Sequence, residues 1–309
     1  MWFEEERFVF DSANGIYKVH GKLVKPLNPD IKGIVQISHG MCEYIDKYDD
    51  FAQYLVSKGF AVIGHDHIGH GDSVNQSEDH GFFGSKDGYK SMIEDLKKVT
   101  DVAKERYPDK PLYLLGHSMG SLIARCYAAK YGADLSGLIL CGTVGPQPLV
   151  KAGIKLAELL VNQKGEKYRS KMLYDVALNF ANIKFLPAKT RFDWISSDEE
   201  EIQRHIKDEK IQFIFTVKGY SDLFHLVNLA NSEKVIKTVP KDLKIIFMSG
   251  DEDPVGENGE GVQRAYELYK ELGITKVDIK LYEKKRHELL KEINKKEIFE
   301  DIANWINAI

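Results

Sequence analysis

The sequence has few cysteines, little net charge and no long apolar run. Its 309 residues include three cysteines, which are too few and too scattered for a disulfide framework or a zinc knuckle. The formal net charge of −4 gives no reason to expect nucleic acid as a partner. No apolar stretch approaches the roughly 20 residues that a membrane-spanning helix needs. We therefore do not expect a disulfide-rich, a nucleic-acid-binding or a membrane-spanning protein.

The amino-terminal segment and the composition favour a cytoplasmic globular protein. Residues 1–7 are rich in glutamate and lack the basic-then-apolar order of a secretory signal. Apolar residues make up 43% of the chain and charged residues 29%, which is an ordinary balance for a globular fold. The chain is long enough to bury a substantial core, in one large domain or in two. We expect a cytoplasmic location with reduced thiols.

Strand and helix patterns alternate along most of the chain. Residues 7–24 alternate apolar and polar side chains around Asn14-Gly15, which predicts an antiparallel hairpin with one solvated face. Short apolar runs typical of buried strands follow at 33–38, 61–64, 111–115, 137–141, 244–248 and 277–282. Amphipathic helical patterns separate most of them. This alternation predicts an α/β fold, in which a mostly parallel sheet is wound on both faces by helices.

The alternation stops between residues 143 and 220. This stretch has helical patterns and many large aromatic side chains, and it is too long for a simple crossover. We therefore predict a helical cap at 143–220, inserted between two strands. The core domain would then consist of residues 1–142 and 221–309.

The segment Gly116–Gly120 reads Gly-x-Ser-x-Gly and lies between an apolar run and a helical pattern. In this context the motif is typical of a sharp strand-to-helix turn that exposes a nucleophilic serine, here Ser118. Glycine is needed at 116 and 120 because a Cβ there would clash where the backbones come close. The alternative is an ordinary turn between a strand and a helix.

The residues that would activate Ser118 follow it in a fixed order. A serine hydroxyl is a poor nucleophile at neutral pH, so it needs a histidine as base and a carboxylate that holds the histidine tautomer. After such a turn, the acid precedes the histidine along the chain. The run at 244–248 leads into an acidic turn, where Asp253 is the expected acid because a proline follows it, and Asp251 is the alternative. His287 follows the last apolar run and is the only histidine beyond residue 225.

Two main-chain N–H groups are expected to stabilise the negative charge that develops when Ser118 attacks. One belongs to Met119, the residue after the serine. The other belongs to Met41, in the loop after the run at 33–38, where Gly40 permits a tight bend. Each such donor lowers the barrier by about 2.7–4 kcal/mol.

Two other segments suggest sites but have the wrong chemistry. His65, Asp66, His67 and His70 lie close together, yet two of the histidines end a strand and nothing elsewhere completes a metal site. Residues 255–261 are rich in glycine but carry two glutamates and no lysine, which disfavours a phosphate-binding loop. We expect no metal and no cofactor.

Five segments together resemble one family. They are His39–Met41, His67–Ser73, Gly116–Gly120, Gly250–Asp253 and Arg286–Glu288. With them, the chain resembles the monoacylglycerol lipase and lysophospholipase branch of the α/β-hydrolases, which is also grouped with serine aminopeptidases. The resemblance implies an α/β-hydrolase fold with a helical cap over an acyl pocket. It also implies Ser118, Asp253 and His287 as the catalytic triad, with Met41 and Met119 as oxyanion donors.

The resemblance implies hydrolysis of a carboxylic ester with a lipid-like acyl group, such as a monoacylglycerol or a lysophospholipid, through an acyl-enzyme on Ser118. The nearest alternative is a serine aminopeptidase, because the acidic run Asp198–Glu201 could bind a substrate amine. An acyltransferase and a receptor that binds a ligand without turnover are further alternatives on the same fold.

The helical pattern at 149–162 bears on the cap. Its polar residues recur at spacings of 4, 3 and 4, which confines them to one stripe of a helix. The apolar remainder would line the acyl pocket or touch a membrane surface. Packing on the domain or on another subunit is an equal alternative. The expected partner is a small lipid-like ester, with peripheral membrane contact through the cap as one outcome.

Overall fold

The structure is a computed structural model that describes residues 3–308, except the side chains of residues 176 and 178–180. Residues 1, 2 and 309 of the predicted core domain lie outside the described residues. The strands are, in chain order, β1 (Phe3–Asp11), β2 (Lys18–Pro26), β3 (Gly33–Ser38), β4 (Phe60–His65), β5 (Leu112–His117), β6 (Gly137–Cys141), β7 (Lys244–Gly250) and β8 (Val277–Tyr282).

These strands form one sheet in the order β1-β2-β4-β3-β5-β6-β7-β8. The pairs β1–β2 and β2–β4 are antiparallel, and the remaining neighbours are parallel. Every residue of β3, β4, β5 and β6 is buried, as expected of strands that are covered on both faces. The predicted hairpin and the mostly parallel sheet are confirmed.

The helices account for most of the remaining chain. They are α1 (Asp49–Ser57), α2 (Gly88–Arg106), α3 (Met119–Tyr131), α4 (Val150–Lys164), α5 (Lys171–Leu178), α6 (Glu199–Lys207), α7 (Val217–Ala230), α8 (Glu233–Ile236), α9 (Glu260–Glu271) and α10 (Lys295–Asn307). Among residues 3–308, every helix is too short or too polar to cross a lipid bilayer.

Helices cover the sheet on both faces. On one face α1 packs against α10, where the rings of Phe51 and Phe299 lie 5.0 Å apart between centroids. On the other face α2, α3 and α9 bury side chains such as Leu96 and Leu122 in a second core. Each fully buried side chain of this size contributes about 1.5–3 kcal/mol to folding. The two cores hold the sheet rigid, so the loops at the carboxyl ends of its strands have a fixed support.

The segment between β6 and β7 carries the helices α4 to α8, in place of a simple crossover. Within this segment, α7 packs against α4 and also against α3, so it connects the segment to the helices on the sheet. It begins at Val217, four residues before the predicted start of the second core segment at residue 221. The helix starts there because Thr216 is its N-cap residue: the side chain of Thr216 accepts a hydrogen bond from the N–H of Gly219 at 3.0 Å.

Candidate active site

Ser118 lies on the turn between β5 and α3, in a backbone conformation that is rare for a residue with a side chain. Its φ is 52° and its ψ is −119°. The turn brings backbones so close that a Cβ at Gly116 would lie 2.5 Å from the carbonyl oxygen of Gly120. A Cβ at Gly120 would lie 2.0 Å from the oxygen of Ser38. Both glycines are therefore required, and the close packing of the turn holds Ser118 in a backbone conformation that costs about 1–3 kcal/mol.

The structure brings Ser118, His287 and Asp253 into one chain of hydrogen bonds. Nε2 of His287 lies 2.9 Å from the hydroxyl oxygen of Ser118. Nδ1 of the same ring lies 3.0 Å from each carboxylate oxygen of Asp253. Although 169 and 34 residues separate the members of these pairs, β5, β7 and β8 end at the same edge of the sheet. This arrangement suits proton transfer from the serine to the histidine.

Asp253 is fully buried but remains in its ionised form. Burial raises the pKa of this carboxyl, whereas His287 and the main-chain N–H of Val255 lower it, and the result lies below the ordinary value. The N–H of Val255 donates to Asp253 at 2.9 Å, and the hydroxyl of Ser249 donates at 3.2 Å. The alternative acid, Asp251, instead accepts the N–H of Lys284 at 2.7 Å.

The two expected oxyanion donors lie in the segments that flank Ser118. Within the described part of the chain, the main-chain N–H groups of Met41 and Met119 have no acceptor. Met119 begins α3, where N–H groups lack intrahelical partners and the helix dipole favours negative charge. The loop of Met41 lies against the serine, because a Cβ at Gly40 would lie 3.2 Å from the Cβ of Ser118.

Sequence reasoning missed a buried ion pair beside the serine. Nδ1 of His117 lies 3.2 Å from the carboxylate of Glu43, and Nε2 lies 3.2 Å from the carbonyl oxygen of His287. The carboxylate of Glu43 also accepts the N–H of Gly40 at 2.5 Å and the hydroxyl of Tyr48 at 2.7 Å. The only signal in the sequence was the position of His117 directly before the serine.

A cavity of about 930 Å³ opens above Ser118 and is lined mainly by apolar side chains. The walls include Leu149 and Val150 at the start of α4, and Leu223 and Phe224 from α7. Ser118 and His287 also line it, so the hydrogen-bonded chain faces the cavity directly. Its size is at the upper end of the range for small-molecule sites, which leaves room for an acyl chain.

The histidines at 65, 67 and 70 are buried beside His39. The ring centroids of His39 and His67 lie 4.4 Å apart, and His39 accepts the main-chain N–H of His67 at 2.9 Å. Burial lowers the pKa of His65 to about 3, and it also lowers the pKa of His67 and His70. Among residues 3–308, no group of three or more His, Cys, Asp or Glu side chains is arranged to hold a metal ion.

The acidic run Asp198–Glu201 does not line the cavity. Asp198 caps α6 by accepting the main-chain N–H of Glu200 at 2.9 Å. Glu201 forms an ion pair with Arg204 at 2.6 Å. These carboxylates therefore belong to the start of a surface helix, and they give no amine-binding site inside the cavity.

Similar proteins include lipases and esterases. The chain is 29% identical over 299 residues to a monoglyceride lipase homolog of Monkeypox virus, with 93% of this chain and 94% of that one covered. It is 26% identical over 279 residues to a monoglyceride lipase of Rattus norvegicus, with 89% and 82% covered. Among solved structures, a highly thermostable carboxyl esterase from Bacillus coagulans superposes with a TM-score of 0.91 at 33% identity, covering 100% of this chain and 99% of that chain.

The protein is a serine ester hydrolase with the α/β-hydrolase fold. Residues 29–294 match the family described as Serine aminopeptidase, S33, and the chain belongs to that family. The matched range contains Ser118, Asp253 and His287, together with Met41 and Met119.

Proposed function

We propose that the protein hydrolyses monoacylglycerols or lysophospholipid-like esters, with Ser118 as nucleophile, His287 as general base and Asp253 as the acid that orients the base. The observation that carries this proposal is the hydrogen-bonded chain from Asp253 to Ser118 at the floor of an apolar cavity. The proposed oxyanion donors are the main-chain N–H groups of Met41 and Met119.

In the proposed reaction, His287 removes the proton of Ser118 as the hydroxyl oxygen attacks the ester carbonyl. The negative charge then develops on the carbonyl oxygen, where the N–H groups of Met41 and Met119 donate to it. The alcohol leaves with the proton that His287 received. Water then attacks the acyl-enzyme with His287 as base, and the fatty acid is released.

The cavity lining supports an acyl chain as the larger part of the substrate. Apolar side chains from α4 and α7 surround the space next to Ser118, and burying each methylene there contributes about 0.8 kcal/mol. The relatives named monoglyceride lipase support a glycerol ester as the substrate. The family description makes short peptides the second candidate, but the acidic run that would bind their amine lies outside the cavity.

A substrate panel and one substitution test this proposal. We expect release of fatty acid from monoacylglycerol and none of the arylamine from aminoacyl anilides, and the panel should include a lysophospholipid and p-nitrophenyl esters. Ser118→Ala should abolish both hydrolysis and labelling by a fluorophosphonate probe. The matched control is Ser121→Ala, since Ser121 lies in the first turn of α3 and its hydroxyl donates to the main-chain oxygen of Ser118 at 2.6 Å. Labelling that persists in Ser118→Ala would refute the proposed nucleophile.

We also propose that residues 143–220 form a cap on a core of 1–142 and 221–309, and that this cap contacts membrane surfaces. Leu149, Leu159 and Leu186 in this stretch are 78%, 50% and 68% exposed, and Leu149 also lines the cavity. Exposed apolar side chains at the mouth of a lipid site favour contact with a bilayer. A cytoplasmic location agrees with three free thiols, of which two are buried.

Co-sedimentation with phosphatidylcholine vesicles tests the membrane contact. The double substitution Leu149→Ser and Leu159→Ser should reduce the bound fraction. The control is Leu27→Ser, because Leu27 is 62% exposed but lies between β2 and β3, outside the proposed cap. Equal binding by all three proteins, or no binding by the unchanged protein, would refute the contact.

A further inference from the structure

The ion pair of His117 and Glu43 joins three segments that the proposed reaction needs. Glu43 belongs to the loop that carries Met41, and it holds that loop through the N–H of Gly40. His117 is the last residue of β5, directly before Ser118. Its second ring nitrogen reaches the main-chain oxygen of His287 at 3.2 Å. One imidazole ring therefore lies between the expected oxyanion loop and the loop of the expected base.

The hydrogen-bond partners of this ring require it to carry two protons. The main-chain oxygen of His287 can only accept a hydrogen bond, so Nε2 of His117 must donate. The carboxylate oxygen of Glu43 that faces Nδ1 already accepts from Gly40 and Tyr48, which favours its ionised form. Nδ1 must therefore donate as well, and a ring that donates from both nitrogens is an imidazolium.

The charges around the ring agree with this protonation state. Burial lowers the pKa of His117, but Glu43 and Glu288 outweigh burial and raise it to about 9. Burial likewise raises the pKa of Glu43, but the imidazolium of His117, together with Lys47 and the hydroxyl of Tyr48, outweighs burial and holds this pKa well below its ordinary value. The titratable groups that surround the pair are His39, Cys42, Lys47, Tyr48, His70, Cys141, Asp253, His287 and Glu288.

We propose that His117 is a positioning residue: as an imidazolium that donates to Glu43 and to the main-chain oxygen of His287, it fixes the oxyanion loop and the loop of the base on either side of Ser118. This inference rests on the proposed triad. His117 does not touch the reacting atoms, and it acts by keeping the N–H of Met41 and the ring of His287 at their distances from the serine.

The protonation state is measured without turnover. In protein labelled with 15N-histidine, the His117 signals are assigned by their loss in His117→Gln. We expect both ring nitrogens to be protonated at pH 7.5, in the unchanged protein and equally in Ser118→Ala. A neutral ring at this pH would overturn the proposal. The result does not depend on whether Ser118 is the nucleophile, which the labelling experiment decides separately.

Kinetics test the positioning role. Glu43→Gln keeps the shape of the side chain but removes the charge that holds the second proton on His117. We expect kcat for a p-nitrophenyl ester to fall by about 100-fold with little change in KM, since small displacements of reacting groups have effects of this size. In the unchanged protein, kcat should fall as the pH rises through about 9, where His117 loses its proton. In Glu43→Gln this alkaline limb of the pH profile of kcat should move to lower pH, because His117 then loses its proton more easily.

The matched control for Glu43→Gln is Asp222→Asn. Asp222 is also fully buried and ion-paired, with Lys218 at 2.7 Å, but it lies on α7 and its carboxylate faces Gly88 at the start of α2. This variant should keep the alkaline limb in place, and so separates the proposal from a general loss of stability. A fall in kcat for Glu43→Gln with an unmoved alkaline limb would overturn the positioning role.

Discussion

At the scale of single residues, the acidic turn after β7 shows how environment separates two similar carboxylates. Asp253 is fully buried, and both of its oxygens face Nδ1 of His287. Asp251 is partly exposed, and it holds the N–H of Lys284 in the neighbouring turn. In the proposed reaction, only the buried carboxylate can stabilise the positive charge that develops on His287 during attack.

This difference predicts unequal effects of the same substitution. Asp253→Asn should lower kcat by about 10⁴-fold, because an amide donates to Nδ1 and favours the wrong tautomer of His287. Asp251→Asn should retain most of the activity, since its contact only fixes a turn. The measurement is kcat for a p-nitrophenyl ester, after circular dichroism has verified that both variants are folded. Similar losses in the two variants would contradict the assignment of the acid.

The sequence was informative about these residues for a physical reason. Ser118, Asp253 and His287 each follow a short apolar run, and the carboxyl ends of parallel strands meet at one edge of a sheet. The contact of Glu43 with His117 could not be predicted in the same way. It joins residues 74 positions apart, and it depends on how two loops fold against each other rather than on strand order.

At the scale of elements, the loop of His287 is held by the segment between α5 and α6. The N–H of Glu288 donates to the oxygen of Ile195 at 2.7 Å, and Nη1 of Arg286 donates to the oxygen of Ser196 at 2.9 Å. The ring of Trp194 lies 5.3 Å from that of His287. Periodicity predicted the helices and strands, but it carries no information on such contacts between loops.

These contacts predict that Arg286 stabilises the loop of the expected base. Arg286→Ala should lower the free energy of unfolding by about 1.5–3 kcal/mol, as expected when a charged hydrogen-bond donor is lost, and it should also lower kcat. Urea denaturation and ester hydrolysis measure the two effects. Lys284→Ala is the control on the same loop, because the side chain of Lys284 is 80% exposed. If both variants behave alike, the side chain of Arg286 does not stabilise the loop.

At the scale of the whole molecule, the alternation of strand and helix patterns predicted the sheet and the helices that cover it. For the stretch at 143–220, the sequence indicated helices and aromatic side chains but not how they are arranged. Helix α7, which begins at the end of this stretch, packs on α3, which is far away in sequence. The start of α7 shows why a helix boundary is hard to predict from sequence. Thr216 and Ser221 are both residue types that can cap the start of a helix. Only the hydrogen bond to Gly219 distinguishes them.

The buried histidines predict how the stability of the whole molecule depends on pH. Burial lowers the pKa of His39, His65, His67 and His70. In the unfolded chain each binds a proton near pH 6.5, so the unfolded state gains more protons as the pH falls. Each therefore removes up to about 1.4 kcal/mol of stability per pH unit below pH 6.5. His117 has the opposite sign: its contribution is complete below pH 6.5 and is lost as the pH rises through about 9.

One substitution isolates the contribution of a single ring. Both ring nitrogens of His65 are buried without a hydrogen-bond partner among the described residues, so His65→Leu loses no hydrogen bond. The variant should lose less stability than the unchanged protein between pH 6.5 and 5, by up to about 1.4 kcal/mol per pH unit in urea denaturation. His80→Leu is the control, because His80 is only partly buried. Parallel pH profiles for the unchanged protein and His65→Leu would show that this ring titrates in the folded state as it does in the unfolded chain, contrary to the expected effect of burial.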